Sequence, residues 1–265
     1  PYVPRWQPTV LFFVGRIAAR ELGAFPRTRQ NRRKAQKPVA ADADADDGDG
    51  DGDSFSTNTV LGLLALLIGF TFSLALGRYD ERRSLVLHEA NALGTTWLRT
   101  DLLDTADAER LRSVLRRYID ARVDFANAKT AQQEIDEYAR TTALQSELWA
   151  AVMAGTAPFR DTPRASLMVT TTNESIDLAG ERFAARQDHI PHRILRMLFL
   201  FALFAAGLLG YERVRQRSST TLLLLLFSLA VGLVLDLDLP STGGINVPQD
   251  PMLDLQRSVG LPTPS

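Results

Sequence analysis

The sequence predicts an all-α integral membrane protein in which membrane helices flank a helical extramembrane domain. Three stretches of the 265-residue chain contain no charged residue, namely residues 54–77, 197–211 and 218–235. A membrane helix needs roughly 20 mostly apolar residues to cross a hydrocarbon core of about 30 Å. The long segment between the first two stretches is polar, with apolar residues at helical spacing. Together these patterns exclude a soluble globular protein.

Composition excludes several classes of function. The 30 Lys and Arg residues are balanced by 31 Asp and Glu residues, giving a formal net charge of −1. A nucleic-acid-binding protein would show a dominant basic face, so no nucleic-acid partner is predicted. The chain has no cysteine, which excludes disulfides, thiolate metal sites and cysteine nucleophiles.

Residues 1–25 contain an apolar run that is too short to span a membrane. The run begins at Val10 and is interrupted by Arg16, Arg20 and Glu21. Because the chain starts with Pro1, one interpretation is the end of a first membrane helix whose start is missing. The alternatives are an amphipathic helix in the membrane interface and an ordinary soluble helix.

Residues 26–57 are predicted to be a disordered linker. Six basic residues come first, and seven aspartates interleaved with Ala and Gly follow. Such a segment has almost nothing to bury. Asp47, Asp49, Asp51 and Gly52 fit the first half of a calcium-binding loop, but the position that requires a bidentate glutamate is Asn58. We therefore predict no metal site here.

Residues 58–78 form the clearest membrane helix. Two stripes recur every four residues and so lie side by side on the helix. The first consists of small residues that allow helices to pack closely in lipid: Ala65, Gly69, Ser73 and Gly77. The second is bulky, and it either lines a pore or faces lipid: Leu66, Phe70 and Leu74.

Residues 79–190 are predicted to be a helical extramembrane domain. No Gly or Pro interrupts residues 78–93, so the first span should continue out of the membrane as one helix. Further helices are predicted near 105–128, 131–154 and 164–187, and Arg122 falls in the apolar register of the first of these. Glu89, Asn91 and Thr95 lie on this helix extension with Arg99. They either are buried partners of Arg82 or Arg99 or line an aqueous vestibule.

Residues 191–212 and 218–237 form a membrane hairpin, and 238–265 form an extramembrane tail. Acidic residues at the end of the last helix oppose its dipole and call for a partner. With three spans after the linker, that end lies on the same side as the end of the first span. An ion-pair cluster is therefore predicted: Arg78, Arg82 and Arg83 with Asp236 and Asp238.

No catalytic constellation is visible. The three histidines, His88, His189 and His192, have no metal-ligand spacing, and no nucleophile elbow or phosphate-binding loop occurs. We predict no catalytic residues, no metal and no cofactor, and the chain is not predicted to be an enzyme.

Three segments resemble known families. The first, LLIGFTFSLALGRYDERR (66–83), resembles the pore-helix region of bestrophin anion channels. A closer resemblance is to the bacterial bestrophin-like membrane family of unknown function, in that first segment, in HEANALGTTWLRTDLL (88–103) and in the tail between Asp236 and Leu255. The resemblance covers residues 55–255, whereas the Asp-rich linker and the incomplete first helix depart from it.

The resemblance implies a 2 + 2 arrangement of membrane helices around the helical domain and homo-oligomeric assembly about an axis. By motif position, Leu66 and Phe70 match the narrow neck of the bestrophin pore. The leading hypothesis is an oligomeric ion (anion) channel in the bacterial inner membrane, with lipid and ions as partners. The alternative is a non-conducting scaffold or sensor whose helical domain binds a partner. Basic residues near the spans support either orientation, depending on whether residues 10–25 end a true span.

Overall fold

The described part of the chain is built of helices and short turns. The computed structural model describes residues 13–22, 24, 49–212, 217–239 and 243–260. Single helical turns follow α2 at Thr100–Leu102 and α4 at Ala157–Phe159. The helices are α1 (residues 13–22), α2 (Asp49–Arg99), α3 (Thr105–Asn127), α4 (Ala131–Thr156), α5 (Pro163–Gln187), α6 (His192–Glu212), α7 (Arg217–Asp238) and α8 (Asp250–Gly260).

Among the residues that the structure describes, three helical stretches are long and apolar enough to cross a membrane: Thr57–Leu102, Pro163–Tyr211 and Ser218–Asp238. The 51 residues of α2 correspond to about 75 Å at 1.5 Å per residue. That length far exceeds a hydrocarbon core, so α2 continues well beyond the membrane. The predicted continuity of this helix through residues 78–93 is confirmed.

Helix α2 begins at Asp49, inside the linker predicted over 26–57. No proline lies between its ends, so nothing in the backbone interrupts the helix. The prediction for residues 26–48, and most of that for 1–25, falls outside the described residues.

The chain divides into two compact units, and the first contains Pro1–Leu76 and Ile190–Asp238. One side of α2 packs there against α6 and α7. The buried apolar residues at this packing are Leu64 and Ile68 of α2, Leu198, Ala202 and Ala205 of α6, and Val231 of α7. Helix α1 joins a smaller cluster through Phe13 and Ile17.

Gly210 permits the close approach of α1 to α6. A Cβ atom at this position would lie 2.0 Å from the carbonyl oxygen of Arg20. At the same end, Arg20 Nη1 donates to Thr221 Oγ1 at 2.5 Å. Residues 13–22 therefore pack closely on α6, and the three interpretations of residues 1–25 stay predictions.

Gly210→Ala is therefore expected to displace α1 and destabilise the first unit by about 1–3 kcal/mol, the usual cost of overpacking. Thermal unfolding in detergent measures the loss. Gly180→Ala is the matched control, because a Cβ there meets nothing within 4 Å. Equal melting temperatures for the two variants would contradict the close approach.

The second unit contains Gly77–His189 and Leu239–Ser265. Its core joins the outer half of α2 to α3, α4, α5 and α8, and includes Leu93, Leu115, Leu148, Met168 and Met252. Two helix starts are capped as their sequences favour. Thr130 Oγ1 accepts from Gln133 N at 3.2 Å, and Thr162 Oγ1 accepts from Ala165 N at 3.4 Å.

The predicted extramembrane helices agree with α3, α4 and α5 to within two residues at each end. The largest difference is at α4, which continues through Gly155 to Thr156. A Cβ atom at Gly155 would lie 3.1 Å from Leu103 Cδ1. The glycine therefore serves helix packing at this point and does not end the helix.

Candidate pore face and buried charge cluster

The membrane part of α2 has two opposite faces. Leu64, Ile68, Thr71 and Ala75 are buried, and Thr71 satisfies its hydroxyl by donating to Leu67 O at 3.0 Å. At about 100° per residue, the bulky stripe lies roughly on the other side of the helix. Its side chains are largely exposed in the single chain, at 53% for Leu66, 61% for Phe70 and 48% for Leu74.

The small-residue stripe is also uncovered. Ala65, Gly69, Ser73 and Gly77 are all exposed, and a Cβ atom added to either glycine meets nothing within 4 Å. Neither stripe is used for packing within the described chain. The roles predicted for both stripes, in helix association and in lining a pore, stay predictions.

Just beyond the span, α2 is fixed to the end of α5. Arg82 donates from Nε to Ala185 O at 2.9 Å and from Nη2 to Asp188 O at 2.6 Å, and so it caps a helix C-terminus, where a positive charge is favourable. Arg78 forms an ion pair with the side chain of Asp188.

The remaining members of the predicted ion-pair cluster are Arg83 of α2 and the two aspartates at the end of α7, Asp236 and Asp238. Arg83 is exposed. Asp238 is buried and accepts from Ile190 N at 2.9 Å. The pairing of the three arginines with Asp236 and Asp238 stays a prediction.

Glu89 lies at the centre of a buried charge cluster in the second unit. Both of its carboxylate oxygens are bound by guanidinium groups. Arg122 of α3 donates from Nε to Oε1 and from Nη2 to Oε2, the latter at 3.3 Å, and Arg182 of α5 donates from Nη1 to Oε2 at 2.6 Å. The Glu89 and Arg122 side chains are fully buried and Arg182 is nearly so. One carboxylate therefore joins three helices.

Burial and ion pairing shift the pKa values of Glu89 and of the neighbouring Tyr118 of α3. Burial alone would raise the pKa of Glu89, but the charges and hydrogen bonds of Arg122 and Arg182 hold it below its ordinary value. Burial also raises the pKa of the Tyr118 phenol to about 12. Glu89 is thus ionised, and Tyr118 is neutral, throughout the physiological pH range.

An aromatic residue supports the cluster from one side. The Phe125 ring centroid lies 4.7 Å from the guanidinium carbon of Arg122 and 4.9 Å from that of Arg186. Cations over an aromatic face gain electrostatic attraction, especially when they are desolvated. Phe125 therefore offsets part of the cost of burying these arginines.

The other polar residues of the helix extension do not join Glu89. Asn91 is exposed, and its backbone carbonyl oxygen accepts from Thr95 Oγ1 at 2.9 Å. Arg99 Nη1 donates to Leu167 O at 2.6 Å and to Thr171 Oγ1 at 3.1 Å. The expectation that Glu89 pairs with Arg82 or Arg99 is therefore wrong.

Arg122 and Arg182 could not be identified from the sequence as the partners of Glu89, because they are distant from it in the chain. One signal was available: Arg122 occupies the apolar register of its helix. A buried charge is costly unless it is paired or hydrogen-bonded, and a carboxylate is one group that can pair with it.

Residues with metal-ligand chemistry are not grouped in the described ranges, where no set of three or more His, Asp or Glu side chains could hold a metal ion. His88, the histidine on α2, is exposed. The two candidate functional features are the uncovered face of α2 and the buried ion-pair cluster of Glu89.

The fold defines an all-α membrane protein with a helical domain between its spans. The family model for the bestrophin-like domain matches residues 54–252, which is most of the chain. The protein belongs to the bestrophin-like family, and the resemblance seen in the sequence is confirmed.

Solved structures show the same fold. The bacterial bestrophin homologue from Klebsiella pneumoniae, solved by zinc anomalous phasing, has a TM-score of 0.67 and 14% identity, with 95% of each chain covered. Two point mutants of that homologue give TM-scores of 0.69 and 0.70 at 13% identity. They cover 95% and 98% of this chain, and 97% and 98% of their own. No curated protein matches the sequence.

Proposed function

We propose that the protein is an oligomeric anion channel of the bacterial inner membrane whose α2 helices surround the conduction axis. The observation that carries this proposal is the uncovered face of α2. One side of the helix is packed against α6 and α7, while Leu66, Phe70 and Leu74 remain exposed on the other. Two observations support the view that this side faces the conduction axis. They are membership of the bestrophin-like family and the resemblance of residues 66–83 to a bestrophin pore helix.

The physical mechanism follows from the side chains. In a ring of α2 helices, Leu66 and Phe70 form an apolar constriction. Such a constriction excludes water when it is narrow and conducts when it widens. The small stripe, with Gly69 and Gly77, lets neighbouring helices approach closely enough to build the ring. Anions as the conducted species rest on the family resemblance.

The direct test is chloride efflux from vesicles reconstituted with the purified chain, with protein-free vesicles as the reference. We expect chloride efflux from vesicles that contain the parent protein. Efflux should be faster from vesicles that contain a variant with a widened constriction. Vesicles that stay tight with both proteins, at matched incorporation and oligomer size, would support the alternative of a non-conducting scaffold or sensor.

Gly69→Leu is expected to disrupt assembly. Within one chain a Cβ at Gly69 meets nothing within 4 Å, so we expect the larger side chain to clash with a neighbouring chain. Cross-linking and light scattering in detergent measure the proportion of oligomer. Gly180→Leu, a helical glycine of the extramembrane domain that also has open space, is the control. If Gly69→Leu left the proportion of oligomer unchanged, the close packing of α2 helices through Gly69 would be contradicted.

A further inference from the structure

The second unit contains a polar cavity that the proposed channel function does not use. Its volume is about 190 Å³, which is several times the share of one water molecule in the liquid, about 30 Å³. Basic residues from three parts of the chain line it: Arg82 of α2, Lys129 of the α3–α4 connection, and Arg182 and Arg186 of α5. The cavity is therefore large enough for a small molecule.

The charge of the lining is one-sided. Among the described residues that line the cavity, four are basic and none is acidic. The neighbouring carboxylates are already engaged. Glu89 binds Arg122 and Arg182, and Glu134 Oε2 lies 3.2 Å from Arg186 Nε.

Glu89 supplies a single negative charge to two buried guanidinium groups. Arg122 Nη1 has no hydrogen-bond partner among the described residues. Burial lowers the pKa of both Arg182 and Arg186, as is expected where positive charge is desolvated. Because the described lining carries four cationic side chains and no carboxylate, positive charge is in excess there, and a bound anion would offset it.

Hydrogen-bond donors are available in the same place. Arg182 donates to Glu89 and Gln249, which uses about two of the five N–H groups that a guanidinium carries. The Lys129 ammonium makes no hydrogen bond or ion pair with the described part of the chain, and the side-chain amides of Asn127 and Asn246 also line the cavity. These groups surround one volume.

We propose that this cavity is a binding site for a small oxyanion, a carboxylate or a phosphate group. Guanidinium groups present paired N–H donors that match the two oxygens of a carboxylate or phosphate, whereas a halide offers no such geometry. The bound group would connect α2, α5 and the segment before α8 within the second unit. The site is separate from the exposed face of α2 and does not depend on conduction.

The test uses the purified full chain in a non-ionic detergent. Inorganic phosphate and succinate are titrated separately at constant ionic strength, with sodium chloride as the halide reference, and the melting temperature is followed. A ligand that binds only the folded state raises the melting temperature saturably. We expect phosphate, succinate or both to do so, with chloride having no effect, and the two titrations distinguish the two ligand classes.

Lys129→Gln is the main variant, because Lys129 lines the cavity and is exposed, so that its substitution should leave the fold intact. We expect it to weaken the apparent Kd about tenfold, the usual effect of losing one charge-assisted hydrogen bond. Arg186→Gln should weaken it further. Arg110→Gln, an exposed arginine outside the cavity, should bind as the parent does.

Three results would overturn the proposal. The first is a melting temperature that neither phosphate nor succinate raises. The second is an equal rise in melting temperature with chloride. The third is an equal oxyanion affinity of the parent and Lys129→Gln. If Arg186→Gln fails to fold, since it also donates to Ala128 O, the comparison of Lys129→Gln with Arg110→Gln still decides.

Discussion

Replacing Glu89 with glutamine is expected to lower the free energy of unfolding by about 3–5 kcal/mol. The substitution leaves Arg122 and Arg182 buried without the carboxylate that binds both. Removing one partner of a buried ion pair has a cost of this size, because the remaining charge stays desolvated. Thermal unfolding in detergent should show the melting temperature falling by roughly 10 °C.

Glu81→Gln is the matched control for this experiment. Glu81 lies on the same helix but is exposed, and surface substitutions usually change stability by no more than about 0.5 kcal/mol. If Glu89→Gln lost no more stability than Glu81→Gln, the cluster would not hold α2, α3 and α5 together.

The effect of Glu89 should depend on pH in a defined direction. Its pKa is lower in the folded protein than its ordinary value, which is about 4.3. The stabilisation is therefore fully present above about pH 4.3 and is lost as the pH falls through the folded-state pKa. The difference in melting temperature between the parent and Glu89→Gln should stay constant near neutral pH and shrink in acid. A difference that grows on acidification would contradict the assignment.

Phe70→Ala is expected to raise chloride efflux by at least about tenfold. If Phe70 forms an apolar constriction, removing the ring lets water and ions pass. Lowering a barrier by about 1.4 kcal/mol is enough to increase a rate tenfold. Efflux from vesicles with equal amounts of oligomer measures the change, and the double variant with Leu66→Ala should give at least as large an effect.

Phe204→Ala is the matched control for the flux experiment. Phe204 of α6 is 65% exposed in the single chain, close to the 61% of Phe70. A phenylalanine that faces lipid should affect stability slightly and efflux not at all. Equal efflux from the Phe70→Ala, Phe204→Ala and parent proteins would place Phe70 against lipid and favour the scaffold alternative.

Membrane helices could be predicted from local sequence because each one satisfies its own backbone hydrogen bonds. Uncharged runs therefore located the apolar parts of α2, α6 and α7. Helix α3 was also predictable, since Asp104 precedes it and its apolar residues recur at helical spacing. In these helices, the residues that determine the secondary structure are close neighbours in the sequence.

Tertiary contacts could not be predicted in the same way. Arg122 and Arg182 lie 33 and 93 residues from Glu89 in the chain, and only the packing of α3 and α5 on α2 brings them together. Likewise, the sequence could not show that Gly155 accommodates Leu103 and does not end α4. The basic cavity has the same origin, because its four cationic side chains come from three separate segments.

The most direct measurement of the central claim is the sensitivity of chloride efflux to a charged, water-soluble methanethiosulfonate reagent in the Phe70→Cys variant. The natural chain has no cysteine, so Phe70→Cys introduces a single thiol, and a thiol reacts only where water reaches it. If α2 lines the pore, efflux through Phe70→Cys is raised and is then blocked by the reagent, while Phe204→Cys vesicles do not respond. Efflux that is unaffected by the reagent in Phe70→Cys, or a response of the same size in Phe204→Cys, would contradict a pore lined by α2.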